Sequence, residues 1–420
     1  MAEGRRHLAH TIIASGGAIG APGHDVLSEA GVGDGDLVLL AALPPQTLLT
    51  MAITCWSLGA AVWVSPRGFD RPPEPASVLV TADSEVRRGP AVPGRAHESL
   101  AVVHETSGST GTPKLVQRSV ASLLAEQAGY RQGLRLTPGD TVRVPLPVTH
   151  SLGWGVALSA LLSGCRADVR ACTTPASLAA DLDTGQATHV ALTPPLARLL
   201  VRTRPRGSER PRGILVGAGP ASADLEAACQ ERFGVALTRG YGSTETGGIF
   251  IGPQGIGRPI PSVEIVAPGA GERGELVVTT SAPVLGYLGD GRPPATLWHT
   301  RDIVERDASG QVWFAERAEG SVRANGAFVD VAPVRRALAE LAGVKDVAFV
   351  VLPRAGQPGC DDVYAVVAGL RVNRATAEQA IRTTAHRGLV PRLRLYERFP
   401  RTVLGKLDRT ALTEWIRRDG

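Results

Sequence analysis

Lysine is nearly absent from this chain: of 45 Lys and Arg residues, only Lys114, Lys345 and Lys406 are lysine. The bias reads as a property of the coding sequence, so a lysine retained against it carries extra weight. Cysteine is sparse too. Cys55, Cys165, Cys172, Cys229 and Cys360 are scattered, with no C-x-x-C pair and no histidine at zinc-ligand spacing. They read as reduced core residues of a cytoplasmic protein. Aromatic residues make up 4% of the chain, and no stripe of aromatic and basic residues occurs. Asp and Glu are interspersed among the arginines, so the net charge of +5 does not point to nucleic acid. Long apolar runs are also lacking. The 18 uncharged residues 47–64 reach the lower limit for a membrane span, but Pro44 and Pro45 precede them and Gly59 interrupts them. A buried helix over 47–58, Gly59 as its C′ residue and a strand over 61–65 account for the run. The opening HLAHTIIASGGAIG is too short in its apolar part, and too broken by His10, to serve as an export leader.

What is present is material for a large core. The chain has 420 residues, 43% of them hydrophobic and 20% charged, enough for two or more domains. Short β-rich runs (DLVLLAAL, AAVWVS, SVLVT, TVRVPLP, ATHVALTPP, RGILVGAG, VALTRGYG) alternate with helical stretches at 119–132, 151–162 and 223–233. This predicts an α/β fold with largely parallel, helix-covered sheets. A β-hairpin-like passage, SVEIVAPGAGERGELVVTT, follows. Beyond a charged, glycine-containing connection at 315–326 comes a smaller α+β unit. The expected division is 1–317 and 318–420. No internal repeat is visible.

The stretch HETSGSTGTPKLV, residues 104–116, places glycines and hydroxyls before one lysine. Such a loop suits a polyanion, because backbone amides converge where no Cβ intervenes and hydroxyls add donors. It is not a Walker loop, since Lys114 lies between Pro113 and Leu115. Nor does a G-x-G-x-x-G dinucleotide fingerprint open a helix here.

Four motifs stand in one order: TSGSTGTPK (106–114), YGSTE (241–245), TRDIVERDASGQVWFAER (300–317) and PRTVLGKLDR (400–409), with GIGRP (255–259) and GELVV (274–278) between them. From Gly31 onward the chain resembles the adenylate-forming superfamily of acyl- and aryl-CoA synthetases, nonribosomal peptide adenylation domains and luciferases. The resemblance implies ATP and Mg²⁺ as cofactors and activation of a carboxylic acid as its adenylate. A carboxylate attacking a phosphate brings two anions together, so positive charge must neutralise both. By resemblance Thr106, Ser107, Gly108, Ser109, Thr110 and Gly111 wrap the ATP phosphates, and Lys114 anchors the loop. Glu245 holds Mg²⁺, Thr244 bonds the α-phosphate and Tyr241 stacks on adenine. Gly217, Ala218 and Gly219 form the adenine-side wall, and Asp302 and Arg317 take the ribose. Lys406, on a mobile C-terminal domain hinged at Glu319, bridges the carboxylate and the α-phosphate in the transition state.

The chain departs from the family pattern at Arg301 and Glu316, and at Asn325, where many relatives carry a basic residue used in the second half-reaction. The interval between Pro66 and Thr106 is short, as if one strand-helix unit were lost. Where amino-acid-activating members place an Asp, His150 and Ser151 stand instead, which disfavours an α-amino acid. With Trp154, Gly247 and Gly248 they would line a pocket for an aryl or other small acid. The expected acceptor is the thiol of coenzyme A or of a carrier protein's phosphopantetheine. No carrier motif follows Arg409, so the acceptor is expected from outside. Amide formation with an amine, and a catalytically silent nucleotide-binding protein, are the alternatives. No membrane association is expected.

Overall fold

The computed structural model describes the 420-residue chain except residues 1, 16–23, 90–98, 107–113, 172–173, 318–320, 325–326, 355–360, 386–389, 404, 406 and 420; the side chains of 24, 316–317, 321, 323 and 327–330 also fall outside it. The described residues form two compact units, one running to Phe314 without 301–304, the other comprising Arg301–Val304 and Ala315–Gly420.

The first sheet of the larger unit is six-stranded, in the order Val86–Arg88, Val78–Val80, Leu37–Ala41, Ala61–Ser65, Leu100–Thr106, Lys114–Ser119. Its four central strands are parallel and the two edges antiparallel. Leu37–Ala41 and Ala61–Ser65 are buried throughout, as parallel strands covered on both faces must be. The uncharged run becomes a buried helix, Pro45–Ser57, with a proline in its first turn. Gly59 follows at φ +89°, and a Cβ there would overlap Asp34 and Arg6. An N-terminal helix, Ala2–Ala14, was not legible in the sequence. Its buried Arg5 donates to Gly59 O (2.8 Å) and Leu100 O (2.7 Å), tying it to the sheet. The shortened interval before Thr106 holds two short strands and, among the described residues, no helix.

The second sheet is seven-stranded, in the order Arg258–Pro259, Gly247–Gly252, Leu237–Ser243, Gly213–Gly217, His189–Leu192, Thr141–Arg143, Arg166–Asp168. The strands from Leu237–Ser243 to Arg166–Asp168 are parallel. Local signals set the helices beside it. Ser119 caps Val120–Leu134 by accepting from Ser122 N. Ser222 caps Ala223–Phe233, and Gly234 ends it in the left-handed region. The hairpin-like passage is realised as Val263–Ala267 antiparallel to Arg273–Val284, within a four-stranded sheet that adds Ala295–Arg306 and Val312–Arg317. Burial pushes the thiols of Cys165 and Cys229 up to about 11, so neither is a ready nucleophile.

The smaller unit is α+β. Val344–Pro353 pairs antiparallel with Asp361–Gly369, which pairs parallel with Arg392–Tyr396. The helices Ala332–Ala339 and Arg374–Thr384 bury Val334, Leu338, Ala377 and Ile381 in one cluster with this sheet. The helix Arg409–Arg418 buries Leu412 and Ile416 in a second, with Phe399. Among the described residues no helix is long and apolar enough to cross a membrane.

Candidate active site

Three parallel strands of the second sheet end at one edge, where open α/β sheets bind ligands. Pro194 follows His189–Leu192, Gly219 follows Gly213–Gly217, and the strand Leu237–Ser243 runs into the YGSTE turn. Tyr241 lies within that strand, its ring edge-on to Phe250 at 5.8 Å. The turn closes on itself. Ser243 N donates to Thr246 Oγ1 (3.1 Å), Thr246 N to Ser243 Oγ (3.3 Å), and Thr246 Oγ1 to Gly247 O (3.0 Å). A Cβ on Gly242 would overlap Gly247 O, so the two arms meet only because position 242 is glycine. Thr244 and Glu245 are left half-buried at its tip.

Glu245 is held by a residue the sequence reading missed. Tyr287 Oη donates to Glu245 Oε1 at 2.7 Å. The Lys114 ammonium sits 5.1 Å from the centroid of the same ring, a cation–π contact. Tyr287 is fixed by backbone bonds on either side, Gln117 N to Gly286 O (3.0 Å) and Leu288 N to Leu115 O (2.7 Å). Lys114 opens a strand rather than a helix, opposite Thr106 in the antiparallel register. The strand ends flanking the loop 107–113 are therefore joined, and one is linked through Tyr287 to Glu245. Ser107, Gly108, Ser109, Thr110 and Gly111 lie outside the described residues. The signal that could have found Tyr287 is the Gly-Tyr pair just beyond the strand Arg273–Val284.

A carboxylate whose one oxygen accepts this hydrogen bond has its second oxygen to offer. That suits Mg²⁺, which takes one or two carboxylates together with phosphates and water. Among the described residues no group of three His, Cys, Asp or Glu side chains gathers to hold a metal without such help.

The segment 217–219, expected from the resemblance to face adenine, has its own geometry. A Cβ on Gly217 would come within 3.1 Å of the Leu152 side chain, and one on Gly219 within 3.2 Å of Pro194. Ala218 takes φ +60° between them. Leu152 belongs to the helix Ser151–Leu162, whose N-cap is His150, so the start of that helix meets the Gly217 strand end. Trp154 is 1% exposed and edge-on to Trp56 (5.8 Å) and His104 (5.5 Å); it is core rather than an open pocket wall. His104 is fully buried. Its Nδ1 faces Thr149 O at 3.2 Å, and a carbonyl only accepts, so Nδ1 carries the hydrogen. Burial, then the Arg118 charge, hold the imidazole neutral, with its pKa lowered to about 3.

Gly247 and Gly248 face a buried polar cluster. A Cβ on Gly247 would overlap the Arg118 guanidinium, and one on Gly248 would lie 2.7 Å from Tyr130 Oη. Arg118 and Glu126 were also missed. Glu126 had a signal, as the one charge in the first turns of Val120–Leu134 (VASLLAE); Arg118, in the strand KLVQRS beside Lys114 and Gln117, had none.

In the smaller unit Asp302 is 5% exposed on the strand Ala295–Arg306. Arg301, one of the departures from the family pattern, has φ +59°, in the left-handed region where glycine is favoured. Lys406, Glu319 and Asn325 lie outside the described residues, as do the side chains of Glu316 and Arg317. The described residues on either side of Lys406 bond to one another. Arg401 bridges Leu407, Gly405 N donates to Thr402 O (2.8 Å) and Asp408 N to Pro400 O (2.9 Å).

A profile of the family described as AMP-binding enzyme matches residues 66–288, more than half of the chain and including the loop, the turn and Tyr287. The chain belongs to the AMP-binding enzyme family. This AMP-binding enzyme is 26% identical to the 2-succinylbenzoate–CoA ligase of Enterococcus faecalis over 74% of its own length and 68% of the relative's. It is 28% identical to the p-hydroxybenzoic acid–AMP ligase of Mycobacterium tuberculosis over 92% of its own length. It spans only 63% of that relative. Its fold matches that of ATP-bound MatB from Rhodopseudomonas palustris with a TM-score of 0.70 at 18% identity, over 98% of this chain and 93% of the other.

Proposed function

We propose that this AMP-binding enzyme is an AMP-forming acid ligase. A carboxylate oxygen of a small acid attacks the α-phosphorus of ATP and pyrophosphate leaves, giving an acyl-adenylate. A thiol of coenzyme A or of a carrier protein then displaces AMP. The observation that carries the reading is the Lys114–Tyr287–Glu245 chain, which ties the glycine-rich loop's end to the carboxylate expected to hold Mg²⁺. Mg²⁺, when bound there, supplies Lewis-acid neutralisation of the phosphates. In this reading Thr106 and the loop 107–111 donate to the phosphates, and Thr244 bonds the α-phosphate beside Glu245. Tyr241 and the segment 217–219 receive adenine, and Asp302 and Arg317 the ribose. His150 and Ser151, at the start of a helix that meets Gly217, border the acid. Lys406 stabilises the charge that grows on the α-phosphate. Two relatives are ligases named for aromatic acids, which supports an aryl acid as the substrate class.

The test is acid-dependent pyrophosphate release across a panel of aryl and short aliphatic acids, with and without coenzyme A. Release that needs one acid class and is stimulated by coenzyme A supports thioester formation. Release unaffected by coenzyme A, with Asn325 in place of a basic residue, directs the acyl group to another acceptor. No release with any acid contradicts the proposal.

A further inference from the structure

Behind the YGSTE turn lies an ion pair that takes no direct part in the chemistry above. Arg118 is 1% exposed, on the strand Lys114–Ser119, and Glu126 is 2% exposed, on the helix Val120–Leu134. Arg118 Nη2 donates to Glu126 Oε2 at 3.1 Å and to Ser122 O at 3.3 Å, and Arg118 Nε donates to Ser122 Oγ at 3.1 Å. The other carboxylate oxygen, Glu126 Oε1, accepts from the backbone amide of Gly248 at 2.7 Å. The partners lie 122 residues apart in sequence, and Gly248 is the second residue of the return strand of the turn.

Three glycines make room for the pair and its neighbour Tyr130. A Cβ on Gly155 would overlap Glu126 Oε1, one on Gly247 would overlap Arg118, and one on Gly248 would press on Tyr130 Oη. Burying both charges costs several kcal/mol per ion, and a pair of apolar residues of similar volume often serves stability as well or better. Stability alone therefore does not explain the pair. A charge-assisted acceptor aimed at one backbone amide gives direction, which apolar packing does not.

We infer that the Arg118–Glu126 pair is a positioning device for the 243–248 turn, holding it from behind through the Gly248 amide so that Thr244 and Glu245 keep their orientation. The inference rests on the reading of Glu245 as the metal carboxylate. Arg118 and Glu126 touch neither substrate nor metal; they act through the turn.

Two double variants isolate the acceptor from the charges. Arg118→Met with Glu126→Gln removes both charges but keeps a carbonyl oxygen for Gly248 N. Arg118→Met with Glu126→Met removes the acceptor as well. Folding of both is checked by circular dichroism and thermal melting, and amide hydrogen exchange is followed in peptides covering 241–250. The Met/Met variant is expected to exchange its turn amides about tenfold faster than the Met/Gln variant, and to need about tenfold more Mg²⁺ for half-maximal pyrophosphate release with the KM for the acid unchanged, the scale of one lost hydrogen bond at a buried amide. The Met/Gln variant, whose acceptor oxygen carries no charge, is expected to fall between the parent and the Met/Met variant in both. A folded Met/Met variant with parental exchange and Mg²⁺ requirement overturns the inference, as does an equal loss in the two variants. If the parent releases no pyrophosphate with any acid, the proposed function has failed, and the exchange comparison still decides whether the pair holds the turn.

Discussion

Tyr287 Oη donates to Glu245 Oε1 at 2.7 Å across 42 residues of sequence, and the Lys114 ammonium lies against the same ring. The hydroxyl fixes one oxygen of the carboxylate and leaves the other for a cation. Tyr287→Phe keeps the ring and its contact with Lys114 and removes the hydroxyl that makes this bond. A hydrogen bond to a charged group is worth about 1.5–3 kcal/mol, so acid-dependent pyrophosphate release should fall about tenfold or more and its Mg²⁺ requirement should rise. A parental Mg²⁺ titration in a folded Tyr287→Phe protein would show that the bond does not orient Glu245.

Arg301 occupies φ +59°, and its departure from glycine has a measurable cost. Left-handed backbone costs a residue with a Cβ about 1–2 kcal/mol, offset in part by the greater freedom of glycine when unfolded. Arg301→Gly should therefore exceed Arg301→Ala in stability by about 1 kcal/mol. The comparison cancels whatever the arginine head group contacts. Urea midpoints of the two variants provide the measurement, and equal midpoints would count against strain at this position.

His104 is buried and neutral, with its pKa lowered to about 3 from the ordinary value of 6.5. The unfolded chain binds this proton near pH 6.5, whereas the folded chain does so only near pH 3. The group therefore contributes stability that is present above pH 6.5 and lost as pH falls toward 3. Between pH 7.5 and pH 5 the loss amounts to about 2 kcal/mol. His104→Phe should be less stable at pH 7.5, through loss of the bond to Thr149 O, yet show a correspondingly smaller fall in melting temperature on acidification. His189 is also lowered by burial and leaves a residual slope in both proteins. Identical slopes in the two proteins would contradict the assignment.

Lys406→Ala should reduce single-turnover adenylate formation about 10²-fold to 10³-fold, the usual consequence of losing one donor to transition-state charge. ATP binding should remain measurable by calorimetry, because the phosphates keep the loop 107–111 and Thr106. An unimpaired variant would remove Lys406 from the chemistry.

Much of the fold was legible because local signals and tertiary packing agree. The strand Ala61–Ser65 and the helix Ala223–Phe233 fall where the residue pattern, the Ser222 cap and Gly234 place them. The helix Pro45–Ser57 begins two residues before the expected start, because Pro45 suits a first helical turn. The YGSTE turn was legible as a motif, since the contacts that shape it span only a few residues. Tyr287, Arg118 and Glu126 were not, because each acts on the turn from a different strand or helix. Trp154 was read as a pocket wall from its place on the helix, yet the rings of Trp56 and His104 enclose it. No local pattern encodes which face of that apolar helix meets the sheet.

In the proposed reaction a carboxylate attacks the α-phosphorus of ATP at this site. A quenched single turnover with ATP labelled at the α-phosphate, Mg²⁺ and the acid selected from the panel tests it most directly. The account predicts label in acyl-adenylate and then AMP, with one pyrophosphate per turnover and none without acid. Label in ADP with release of phosphate, or acid-independent turnover, would contradict it.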